Sequence, residues 1–98
     1  MAETADSDDQ ELAISFGRCV VRHRDAAGLP MSKLAQMAGM SRAYLWRVEQ
    51  GMSLPSLRNV ARIAVALEVP LSSLVEGIDL SSVSLENRSY TKGPQSEG

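Results

Sequence analysis

The residues whose types and spacing could do chemistry gather in one stretch, Ser41 to Gly51, which reads Ser-Arg-Ala-Tyr-Leu-Trp-Arg-Val-Glu-Gln-Gly. At about 100° per residue a helix here turns Leu45 and Val48 to one side, with Tyr44 and Glu49 at its margins. Arg42, Ala43, Trp46, Arg47 and Gln50 then fan over the other side. An idle solvent face is normally filled with Glu and Lys. Two guanidinium groups, an indole, a carboxamide and a small alanine instead make a surface able to read a partner, and this face is the candidate functional site.

Charge points to the kind of partner. The 98-residue chain has a net charge of -2, but the sign is unevenly distributed. Residues 1–11 carry Glu3, Asp6, Asp8, Asp9 and Glu11 and no base. Residues 12–77 hold Arg18, Arg22, Arg24, Lys33, Arg42, Arg47, Arg58 and Arg62 against Asp25, Glu49, Glu68 and Glu76, a positive middle that fits a phosphate-bearing partner. Other chemistries are excluded by what the chain lacks. One cysteine, Cys19, cannot form an internal disulfide, and with one histidine, His23, it makes no soft-ligand cluster for a metal. Nucleophilic or acid-base catalysis needs a nucleophile, a base and an orienting group converging in a pocket. A cysteine and a histidine within one helix do not supply that, so no enzyme and no cofactor is expected. Cys19 is expected to be a passive small hydrophobe and His23 a core histidine hydrogen-bonded to backbone. There is no apolar run of about 18 residues, and the acidic start lacks the basic and apolar regions of a signal peptide. The expected location is the cytoplasm, without membrane contact.

The elements that must position this face can be read from periodicity and caps. Residues 1–9 are too acidic and small-sided to order themselves and form an expected tail. From Gln10 to Ala27, Leu12, Phe16, Val20, His23 and Ala27 recur at helical steps, and Gly28 closes the helix. A second helix opens at Pro30 or Ser32, turns Leu34, Ala35 and Ala38 inward and Lys33 and Gln36 outward, and ends at Gly39. Ser41 caps the third helix and Gly51 ends it. Ser56 caps a fourth with Leu57, Val60, Ile63, Ala64 and Leu67 on one stripe, and Pro70 precedes a last short helix through Leu71, Leu74 and Val75. The expectation is an all-α fold of five helices over residues 10–77, followed by an extension, 78–98, that is partly ordered and then mobile.

Two short helices joined by a glycine-containing turn have helix-turn-helix spacing. The ensemble Gly28-Leu29, Leu34-Ala35-Gln36-Met37-Ala38-Gly39-Met40-Ser41, Leu45-Trp46-Arg47-Val48-Glu49-Gln50-Gly51, Pro55-Ser56-Leu57 and Ile63-Ala64-Val65-Ala66-Leu67 resembles the Cro/C1-type helix-turn-helix family of phage repressors, restriction-modification controller proteins and related bacterial regulators. The resemblance covers roughly residues 12 to 77 and implies a transcriptional regulator that binds double-stranded DNA. Residue by residue it places Arg42, Ala43, Trp46 and Arg47 on base edges in the major groove, with Gln36 and Gln50 at positions that touch phosphate or bases. Lys33, beside the amides at the start of the second helix, and Arg58, near the start of the fourth, are expected on the DNA backbone. Arg24 and Glu49 match the family's ion pair between the first helix and the reading helix, expected near the surface.

The chain departs from the family pattern at Pro30-Met31, at Met52-Ser53-Leu54 and at the large Trp46. With Tyr44, Met52 and Leu54, Trp46 could instead present an apolar patch to a protein, as an antitoxin or anti-activator would. A single short reading helix touches too few base pairs to select one genomic site, so a homodimer on a palindromic operator is expected. Val65, Leu71, Val75, Ile78 and Leu80 are the expected interface, with Ala61, Val83 and Leu85 extending it.

Overall fold

A computed structural model describes residues 9–86 and contains α1 (Gln10–Ala27), α2 (Met31–Ala38), α3 (Arg42–Glu49), α4 (Leu57–Leu67) and α5 (Leu71–Leu74). The helix limits follow from local chemistry. Ser41 Oγ accepts from the Tyr44 amide at 3.0 Å and Ser56 Oγ from the Asn59 amide at 3.2 Å, each satisfying a donor that has no partner within its helix. Between α2 and α3 the backbone turns through Gly39 at φ 71, a conformation that costs a side-chain-bearing residue strain. The Met40 amide then donates back to the Ala35 carbonyl at 3.0 Å and closes the turn. α4 ends without a glycine, on Glu68 at φ 60, with Pro70 next to block continuation.

One core joins all five helices. Phe16 and Val20 of α1 meet Leu34, Ala35 and Ala38 of α2, Leu45 and Val48 of α3, Ile63, Ala64, Ala66 and Leu67 of α4, and Leu74 of α5. Removing that apolar area from water is the main force holding α3 in place, because eight residues are too few for a helix to persist alone. Two polar ties fix the last element. His23 Nε2 lies 3.1 Å from the Ser73 carbonyl oxygen, which can only accept, so the ring hydrogen sits on Nε2. The buried Cys19 thiol is 3.8 Å from the Glu76 carbonyl oxygen. Beyond α5 the chain turns at Asp79, whose amide donates to Ser15 Oγ at 2.8 Å and whose carboxylate accepts from the Ser81 amide at 2.9 Å. That last bond holds the Asp79 carboxyl below its ordinary range.

Two stripe assignments need correction. Ala27 is exposed, because the last turn of α1 runs past the edge of the core. Leu57 is 71% exposed. It is the first residue of α4, and a helical side chain leans toward the helix N-terminus, which sends it over the preceding loop rather than into the core. Buried positions that the stripe did not include are Ala13, Gly17 and Cys19. The expected tails fall largely on residues 1–8 and 87–98, outside the described residues.

Candidate nucleic-acid interface

The outward side of α3 is built from below. Leu45 and Val48 are fully buried and anchor the helix, so Arg42, Ala43, Trp46, Arg47 and Gln50 all remain exposed on its other side. Lys33 and Gln36 are exposed on α2, and Arg58 is exposed in the first turn of α4. Met37 and Met52, about half exposed like Trp46, add apolar surface among the described residues of these elements.

Three contacts fix the angle of α3. First, α1 and α3 approach so closely at Gly17 that a β-carbon there would lie 2.5 Å from the carbonyl oxygens of both Val48 and Glu49. Gly51, at φ 77, is equally confined, since a β-carbon would sit 2.7 Å from Ile14 Cα. Second, Arg24 and Glu49 form a two-pronged pair, Nε to Oε2 at 2.7 Å and Nη2 to Oε1 at 3.0 Å, while Arg24 Nη1 donates to the Leu29 carbonyl at 3.0 Å. The hydrogen bond to Glu49 raises the Arg24 pKa against the opposing effect of burial. The pair is not near the surface as expected: the Glu49 side chain is 2% exposed and that of Arg24 16%, because the end of α3 is pressed onto α1. Third, Asn59 of α4 donates through Nδ2 to the Tyr44 hydroxyl at 3.2 Å. Sequence reasoning missed Gly17 and Asn59. A lone glycine inside a helical pattern is a detectable sign of close packing, whereas nothing local marks Asn59.

The five residues expected at a subunit interface are divided. Leu71, Val75 and Ile78 line an apolar groove of about 350 Å³ together with Leu12, Phe16, Leu54, Pro55, Leu57 and Val60. Val65, 76% exposed, lines a separate depression with Met37, Arg58, Ala61 and Arg62. Leu80 is exposed and borders neither. No group of residues that could hold a metal ion is found among the described residues, and none of their helices is long and apolar enough to cross a membrane.

Comparison with known proteins gives consistent matches. The sequence matches the helix-turn-helix domain family over residues 15–76. A protein of Methanocaldococcus jannaschii, proposed to be an HTH-type transcriptional regulatory protein, is 39% identical over 64 residues, 65% of this chain, and the chain spans only 19% of that protein's length. The restriction-modification controller protein C.AhdI from Aeromonas hydrophila superposes with a TM-score of 0.62 at 34% identity, covering 63% of this chain and 94% of its own. The biofilm master regulator SinR, solved in complex with DNA, superposes with a TM-score of 0.59 at 26% identity over 62% of this chain and 98% of its own.

Proposed function

The chain belongs to the helix-turn-helix domain family, the Cro/C1-type group that includes restriction-modification controller proteins, and from that premise we propose that it is a sequence-specific, DNA-binding transcriptional regulator acting in the cytoplasm. The observation that carries this reading is the exposed face of α3. It holds two arginines, an alanine, a tryptophan and a glutamine on a helix seated rigidly by buried contacts. Arginine reads guanine O6 and N7 with a bidentate fork, and alanine or indole packs on a thymine methyl. In this reading Arg42, Ala43, Trp46 and Arg47 touch base edges. Lys33, Gln36, Gln50 and Arg58 hold the DNA backbone, where their contacts set register and salt dependence rather than sequence.

The regulator binds as a homodimer, with two α3 helices entering successive major grooves of a palindromic operator about 34 Å apart. The apolar groove containing Leu71, Val75 and Ile78 supports an isologous contact, because a small protein rarely leaves so continuous an apolar surface in water. Val65, in its own depression, and Leu80, exposed outside both, are assigned to the same contact. A protein-binding role, as in an antitoxin or anti-activator, is the second reading, supported by the exposure of Trp46 and Met52. The deciding experiment is a mobility shift with the DNA upstream of the chain's own gene at stated salt, repeated with Arg42→Ala and Arg47→Ala. Each variant should relax the preference at one base position per half-site. Unaltered selectivity in both would sink the assignment of α3 as the reading element.

A further inference from the structure

Tyr44 stands between the core and the outward face of α3. It packs half-buried against the core cluster, and the guanidinium of Arg47, one turn further along the helix, lies 5.7 Å from its ring centroid. From the other side Asn59 donates to its hydroxyl, and Asn59 is in turn held by its own amide on the Ser56 cap of α4. Leu45, Val48, the close approach at Gly17 and the Arg24–Glu49 pair already hold α3, so the bond from Asn59 constrains the Tyr44 ring more than it constrains the helix. The contact geometry also suits DNA reading. A guanidinium drawn to the face of a ring can keep its N–H edge free for the fork that bonds guanine, so the two contacts can exist together.

We propose that Asn59, Tyr44 and Arg47 form a positioning relay: the first turn of α4 holds the Tyr44 ring, and the ring holds the Arg47 guanidinium oriented toward a guanine before DNA arrives. Arg47 is the specificity-determining residue, and Tyr44 and Asn59 are its positioning residues. This rests on the DNA-reading function proposed above. Arginine loses much rotamer freedom when fixed on a base edge, and that loss subtracts from selectivity. A guanidinium already held near an aromatic face by cation–π attraction loses less, so selectivity at its base pair rises.

The test selects duplexes from a random-sequence pool at fixed salt with the full chain and with Arg47→Ala, Tyr44→Leu, Tyr44→Phe and Asn59→Ala. Arg47→Ala should abolish the preference for guanine at one position per half-site. Tyr44→Leu should weaken the preference at that same position by about two- to fivefold, the worth of one exposed cation–π contact. Tyr44→Phe and Asn59→Ala should each give a smaller loss there, because the ring remains and only its anchor is gone. The double variant Tyr44→Leu with Arg47→Ala should lose no more at that position than Arg47→Ala alone. In the free protein, ¹⁵N relaxation should find Arg47 Nε ordered in the parent and more mobile in Tyr44→Leu. A parent chain that enriches no duplex would overturn the DNA-reading function and the relay with it. If the parent selects an operator, the relay alone is overturned by any of three results: Tyr44→Leu keeps the full preference, it loses preference equally at every position, or Arg47 Nε is as mobile in the parent as in the variant.

Discussion

Adding one methyl group at Gly17 should move α3. In Gly17→Ala the new carbon would meet the Val48 and Glu49 carbonyl oxygens at 2.5 Å, where side-chain carbons essentially never come closer than 3.0 Å and ordinary contact starts at 3.4 Å. Both obstacles are backbone, so no rotamer change relieves them, and α3 must retreat by about 0.5 to 0.9 Å. Overpacking of this kind costs about 1–3 kcal/mol. Alanine returns about 1 kcal/mol through its better helix propensity. Because two carbonyls are struck, the cost should fall in the upper part of its range, leaving a net loss of about 1–2 kcal/mol. For a domain of this size that lowers the melting temperature by roughly 5–15 °C. Thermal unfolding followed by circular dichroism measures it, with Arg18→Ala, an exposed neighbour on the same helix, as the control expected to stay within about 0.5 kcal/mol. Operator selectivity should fall as well, since the retreat carries Arg47 and Gln50 with it. A Gly17→Ala protein that melts at or above the parent temperature would refute the claim that this contact sets the position of α3.

Glu49→Gln keeps the shape of the side chain but leaves the largely buried Arg24 guanidinium without its counter-charge; we expect a loss of about 2–3 kcal/mol in urea unfolding, below the usual 3–5 for removing one partner outright because an acceptor remains. A loss under about 1 kcal/mol would mean that the pair behaves as a surface contact. Deleting residues 1–9 removes Glu3, Asp6, Asp8 and Asp9 and should strengthen binding to nonspecific DNA at low salt while the fold persists; unchanged or weaker binding would count against it. Ending the chain at Gly77 and replacing Val65 and Leu71 with glutamate should give folded monomers with much weaker operator binding. Sedimentation that finds the parent monomeric at micromolar concentration, or the altered chain dimeric, would rule out this interface.

What was legible in the sequence is what neighbouring residues decide among themselves. Ser41 and Ser56 bond amides three residues away, Gly28 and Gly39 take left-handed conformations next to their helices, and Leu45 and Val48 share a face by the helical period alone. The five helices and the outward set Arg42, Ala43, Trp46, Arg47 and Gln50 therefore followed from local rules. Tertiary packing decided the remainder. Ala27 and Leu57 obey the helical period yet are exposed, because the core ends before the first and begins beyond the second. Glu49 is buried because Gly17 lets α1 and α3 meet backbone to backbone, a contact spanning more than thirty residues of sequence. Val65 and Leu71 looked like one apolar surface but lie in different depressions, since the turn at Glu68 sends α5 to another side of α4. The hydrogen bond from Asn59 to Tyr44 exists only once α4 has packed on α1 and α2 and brought its first turn within reach of α3. Caps and periodicity act within a turn or two of the chain, whereas burial and contact depend on which other elements arrive, and only the folded structure specifies that.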